Sequence, residues 1–213
     1  MDLPSFIPIF PLPNVVLFPE VPLPLYIFEP RYRDMVRDAL DGPRLIGMTL
    51  LRPDWEAQYA EAPDVYPIGC AGRIVDATPL PDGQFNILLA GLREFEIVSE
   101  QRERSYRQAT VTWRAPPSDD PLPEELRRKL MHAVEHHVGD VGREIASQLG
   151  DEPELTDAVL VNFLSFWLDL LPIEKQALIE ITGHDRARHL LDLLEFQRHM
   201  ASSGQADPSR RMH

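Results

Sequence analysis

The pattern with the most chemical content in this chain is His132-Ala-Val-Glu135-His136. Histidines four residues apart sit one turn apart on a helix. Both can then face one zinc ion, with the glutamate as base, which is the H-x-x-E-H arrangement of the inverted zinc peptidases. The neighbouring residues argue against that chemistry. Leu130, Val134 and Val141 mark an apolar stripe, and at about 100° per residue both histidines and Glu135 point away from it. His137 is the histidine on the apolar side. A zinc enzyme also needs a third ligand and a sheltering cleft, whereas His184, His189, His199 and His213 are scattered near or beyond the last helix. The helix face reads as polar and solvated, with at most adventitious metal affinity, and no cofactor or metal is expected.

Other catalytic patterns are missing. The sequence holds two lysines, Lys129 and Lys175, neither preceded by glycine, so there is no phosphate-binding Gly-Lys loop. Neither lysine has a serine nearby in a dyad-like pattern, and no G-x-S-x-G elbow occurs. Cys70, the one cysteine, lies in PIGCAG, has no histidine near it in sequence and reads as a small buried residue. The expectation is a protein that is not an enzyme. The net charge is −13, with 11 basic against 16 acidic residues over 1–115 and 10 against 18 over the remainder. No basic run exceeds Arg127-Arg128-Lys129, which disfavours a nucleic-acid binder. The first basic residue is Arg31, so a signal peptide has no positive start, and no uncharged run is long enough to span a bilayer. A soluble, cytoplasmic protein is expected.

The elements follow from hydrophobic spacing. Seven prolines from Pro4 to Pro24 punctuate the apolar opening PSFIPIFPLPNVVLFPEVPLPLYIF, which forbids a helix and predicts short extended pieces over 6–28. Pro30 suits a first helical position, and Tyr32, Met35, Val36 and Ala39 then fall on one stripe up to Asp41-Gly42-Pro43. LIGMTLL (45–51) reads as a strand and 52–65 as a polar loop with two aromatics. Segments 67–80 and 84–100 flank Pro81-Asp82-Gly83 as a hairpin, with Gly91 marking a bulge or a close backbone approach, and 104–115 is a further strand. Half a dozen short strands imply a small barrel or sandwich.

After the proline-rich, acidic stretch 115–123 the pattern turns helical. A stripe from Leu122 through Leu130, Val134 and Val141 to Leu149 predicts one long helix. A second is expected over about 156–170, capped by Thr156 or Asp157, with Phe163 and Trp167 in its core-facing stripe. IEKQALIEI gives a short third helix and 185–200 a last one, and the residues after 200 lack an apolar pattern and read as a disordered tail. The reading is an α+β chain: a β-rich lobe over 1–117, a helical bundle over 118–200 and a tail over 201–213.

Several separated motifs, in order, carry a family resemblance. IPIFPLPNVVLFP followed by LPLYIFEPRY resembles the opening of the Lon protease N-terminal, substrate-binding domain family, as do IGCAGRI (68–74) and the Asp82-Gly83 hairpin. LAGLREFEI (89–97) is similar to that family's G-x-x-R-F strand, and EKQALIE (174–180) with DRARHLLDLL (185–194) to its closing helices. The resemblance implies a PUA-like β-barrel or sheet lobe joined to a helical bundle. It implies a stand-alone, non-catalytic module that binds unfolded or partner polypeptides, itself or beside a separate Lon-type protease. Tyr26, Phe28, Arg31 and Tyr32 at the strand–helix corner, with Arg93 and Phe95 from the later sheet, are the candidate peptide contacts. Because PUA-like barrels elsewhere bind RNA, a nucleic-acid binder is the alternative, followed by a metal-dependent hydrolase built on the H-x-x-E-H helix.

Overall fold

The computed structural model describes residues 3–53, 55–56, 63–118, 120–150 and 156–204, with the side chains of 138–150 and 201–204 outside the description. The expected tail beyond Gly204 and much of the expected 52–65 loop lie outside the described residues. The chain runs β1 (Phe6–Leu12), β2 (Pro22–Ile27), α1 (Pro30–Leu40), β3 (Leu45–Leu50), β4 (Ile68–Pro79), β5 (Phe85–Gln101), β6 (Arg107–Trp113), α2 (Glu124–Gly150), α3 (Asp157–Trp167), α4 (Pro172–Glu180) and α5 (Gly183–Gly204). Two compact units result, Met1–Pro117 with Asn162–Glu180, and Ser118–Val161 with Ile181–His213.

The first unit is a mixed six-stranded sheet in the order β2-β5-β4-β3-β1-β6. The C-terminal part of β5 also pairs with β6, so β5, β4, β3, β1 and β6 close into a barrel and β2 is appended to β5 as an edge. The β1–β3 pairing is parallel and the other pairings are antiparallel.

The prolines of the opening fit this topology through the direction of their missing donors. Ser5 O accepts from Val111 N (2.7 Å) and Leu12 O from Leu51 N (3.0 Å). Odd residues of β1 therefore turn their backbone groups toward β6 and even ones toward β3. Pro8 lacks a donor only on the β3 side, where pairing begins at Ile9, and Pro11 only on the β6 side, where pairing ends at Ile9. On β2, Val21 O accepts from Gly91 N (2.9 Å), so Pro22 and Pro24 aim away from β5 along the open edge. No ladder bond is lost at any of the four.

Gly91 serves both expected purposes. Ala71 pairs with Arg93 and Gly72 with Gly91, which leaves one extra residue on β5 as a bulge. A Cβ at Gly91 would lie 1.9 Å from Phe18 O, so the chain before β2 packs directly onto its backbone. Helix α1 buries Tyr32, Met35, Val36 and Ala39, the stripe the spacing predicts. The barrel core gathers Ile7, Ile9, Ala71, Phe95, Ala109 and Val111, with Trp113 edge-on to Phe95 at 6.1 Å between centroids.

Residues 162–180 join the sheet's unit through buried polar contacts. Asn162 Nδ2 donates to Pro19 O (3.2 Å) and Gln176 Nε2 to Ile68 O (3.0 Å). Arg114 pairs with the buried Glu94 (3.0 Å) and donates to Ile179 O and Glu180 O, satisfying carbonyls at the α4 terminus. In the second unit, α2 packs on α5, and Leu130 and Val134 of the one and Leu190 and Leu194 of the other are buried. Thr156 is the α3 cap, its Oγ1 accepting from Val159 N, while Asp157 accepts from Leu122 N and pairs with Arg127.

Candidate functional site

Side chains alternate along β2, and the outward row is apolar. Pro22, Pro24, Tyr26 and Phe28 are exposed, whereas Leu23 and Ile27 are buried. Tyr26 and Phe28 are 55% and 57% exposed with ring centroids 5.8 Å apart, and the Tyr26 hydroxyl donates to Gln84 Oε1. Single exposed apolar residues are ordinary, and a contiguous apolar row is a candidate interaction surface. The prolines limit how a partner pairs there, because they remove two donors from the open edge.

The other four expected contact residues lie elsewhere. Arg31 and Tyr32, at the start of α1, line a cavity of about 320 Å³ together with Pro13, Trp55, Arg104 and Tyr106. Arg31 pairs with Glu29 at 2.9 Å and lies over the Tyr32 ring, which is itself buried against Phe10 at 4.2 Å between centroids. Arg93 is half-buried on β5 opposite Ala71. Phe95 has no exposed surface. It fills the barrel between Gly47 and Gly69, where a Cβ would come within 2.9 and 3.0 Å of its ring. Its place is the core.

Behind the Arg31 cavity, Tyr106 donates to Asp38 Oδ2 at 2.6 Å, and Arg104 pairs with the same carboxylate at 2.9 Å. Burial, with the Asp38 hydrogen bond and charge, pushes the phenol up to about 12. A second cavity, about 510 Å³, shares Pro13, Leu51 and Trp55 with the first and adds Tyr66, Leu171 and Ile173. Leu171 is 62% exposed and Ile173 is 48% exposed. Trp167 is mostly exposed as well, which corrects the expectation that it sits in a core-facing stripe. It stands at the end of α3 with its ring against Phe163 and Phe166. Helical spacing names a face without saying how far along the helix its cover extends.

The H-x-x-E-H residues sit on α2 in the second unit. His132 and His136 approach edge to face, with centroids 4.4 Å apart, and line a groove with Arg128, Lys129 and, from α5, Arg198. Glu195 also lines the groove, and Arg128 and Lys129 both pair with Glu125, at 2.7 and 3.4 Å. Among the described residues, no three His, Cys, Asp or Glu side chains are placed to hold a metal ion. No described helix is long and apolar enough to cross a membrane.

A closed mixed barrel with an appended edge strand, together with the helices, makes this an α+β protein. The model of the ATP-dependent protease La (LON) substrate-binding domain matches residues 7–195, and the chain belongs to that family. It is 29% identical over 191 residues to a Lon protease of Flavobacterium johnsoniae, covering 85% of this chain and 23% of that protein. A Lon protease of Cytophaga hutchinsonii is 28% identical over 202 residues, covering 91% and 24%. The chain thus spans about a quarter of the length of these relatives. The crystal structure of a Lon N-terminal domain protein from Xanthomonas campestris superposes with a TM-score of 0.66 at 26% identity, covering 90% of this chain and 98% of that one. The N-terminal domain of a Mycobacterium avium complex Lon protease gives 0.65 at 15% identity, covering 89% and 98%, a likeness of fold.

Proposed function

We propose that this chain is a non-catalytic polypeptide-binding module, with a PUA-like barrel, that holds unfolded or partner protein segments in the context of a Lon-type protease. The observation that carries the reading is the exposed row Pro22, Pro24 and Tyr26 on an edge strand, continued by Phe28 just past its end, in a chain that belongs to the Lon substrate-binding family. Unfolded chains are distinguished from folded ones by accessible apolar side chains, and a rigid aromatic row matches that property without reading a sequence. The 213 residues contain no Gly-Lys phosphate loop and no serine–lysine pattern, which supports a role without ATPase or protease activity within this stretch. The lone cysteine is fully buried, in keeping with a place in the reducing cytoplasm.

Crosslinking tests the reading. A photo-reactive residue at position 26 or 28 should capture a permanently unfolded, carboxymethylated client and leave the same client in its folded state uncaptured. Equal capture of both states, or capture of neither by well-folded protein, refutes it.

A further inference from the structure

We infer that the two adjoining cavities of the first unit form one amphipathic groove that selects polypeptide segments carrying a large apolar side chain close to an aspartate or glutamate. The inference rests on the polypeptide-binding reading and adds a preference that an apolar row alone does not provide. The cavities share Pro13, Leu51 and Trp55, so a segment lying across this shared wall touches both.

Their outer ends differ in chemistry. At one end Arg31, Arg102 and Arg104 converge from the start of α1 and the β5–β6 connection, with Glu29 as the carboxylate in the lining. Arg107 is committed to the fold, since Glu100 takes its Nε and Nη2 and Pro63 O takes its Nη1. Arg31 likewise gives Nε (3.0 Å) and Nη2 (2.9 Å) to Glu29, and Arg104 gives Nη1 to Asp38, but these pairs are more open to water. The two arginine side chains are 40% and 60% exposed, and their partners Glu29 and Asp38 are themselves 31% and 42% exposed. Such surface pairs hold weakly, and a guanidinium has five donors, so an incoming carboxylate can share it.

The other end is mainly apolar, through Leu171, Ile173 and the Tyr66 ring, and its two charged lining residues, Arg52 over that ring and Glu56, are of opposite sign. A carboxylate meets one charge of each sign there and several arginines against Glu29 at the other end, which gives a bound segment a direction. In a chain of net charge −13 this arginine cluster is also what offsets the general repulsion of acidic segments.

The test uses the full chain and short fluorescein-labelled peptides read by anisotropy. One peptide carries Phe and Leu beside two aspartates, and its counterparts replace the aspartates by asparagines or by lysines. The aspartate peptide should bind about fivefold to tenfold tighter than the asparagine one, and the lysine one weakest. Arg31→Ala with Arg104→Ala should abolish that preference and leave the asparagine peptide's affinity unchanged. Leu171→Ser with Ile173→Ser should weaken all three peptides. Equal binding of the aspartate and asparagine peptides, or a preference that survives loss of both arginines, overturns the inference while leaving polypeptide binding intact. No binding of any peptide by folded protein overturns both. An unstructured RNA that displaces the aspartate peptide at lower concentration than the unlabelled peptide does also overturns it. The wild-type comparison needs no variant to fold, so the outcome is decided even if the double variants are unstable.

Discussion

Replacing Phe95 separates a core side chain from a contact side chain, because only the former is costly to remove. The ring is wholly buried, touches the spaces above Gly47 and Gly69, and meets Trp113 edge-on. Phe95→Ala therefore removes a full aromatic side chain from a closed barrel whose backbone walls cannot collapse inward, and such changes cost about 3–5 kcal/mol. With a urea slope of about 2 kcal/mol/M, the unfolding midpoint should fall by roughly 2 M. Tryptophan fluorescence reads this unit selectively, since Trp55, Trp113 and Trp167 all belong to it. Gly47→Ala supplies the second leg of a cycle. Its Cβ would stand 2.9 Å from both the Phe95 ring and Ile7 Cδ1, an overpacking cost of about 1–3 kcal/mol. In the Phe95→Ala background the ring clash disappears, so the two changes should couple favourably by about 1 kcal/mol or more. A Phe95→Ala loss below about 1 kcal/mol, or strict additivity with Gly47→Ala, would refute the barrel-core placement.

Three further outcomes are expected. Arg114→Ala removes the guanidinium that pairs with the buried Glu94 and leaves carbonyls at the end of α4 without that donor, so it should cost about 3 kcal/mol by urea titration; a loss under about 1 kcal/mol would show that other groups or water replace the pair. Gly91→Ala forces a Cβ to within 1.9 Å of Phe18 O, so the 18–21 backbone must move, and hydrogen exchange at Gly91 N and Glu20 N should accelerate while amides of α5 stay protected. Tyr106 is held protonated in the folded state up to about 12, above its unfolded value near 10, so its contribution is complete below about pH 10 and lost as pH rises through about 12. Tyr106→Phe should remove that part of the alkaline slope, and an unchanged slope between those pH values would contradict it.

Much of the fold was legible because local rules and tertiary structure agree in it. The stripe Tyr32, Met35, Val36 and Ala39 is the buried face of α1, and Gly91 marks both the bulge and the close approach. The prolines were legible as extended chain, but the reason they are tolerated was not. That reason depends on β6 pairing ending, and β3 pairing beginning, at Ile9, partners nearly a hundred and nearly forty residues away. The candidate surface was legible in part. Tyr26 and Phe28 alternate with buried neighbours on an edge strand, whereas Phe95 has the same alternation on a strand paired on both sides. Period-two spacing does not tell a barrel interior from an outer face. The arginines of the groove come from separate elements, so no window of sequence brings Arg31 beside Arg104.

The most direct test of the central claim is the affinity of the full chain for an unfolded polypeptide, with and without the β2 aromatics. Each ring exposes roughly half its surface, so covering it removes about 100 Å² from water, an upper bound near 2.5 kcal/mol per residue. Binding of a carboxymethylated client should be saturable and independent of ATP. Tyr26→Ser with Phe28→Ser should weaken it at least about tenfold with an unchanged urea midpoint. Undiminished affinity in that variant, or no binding by folded wild-type protein, would contradict the account.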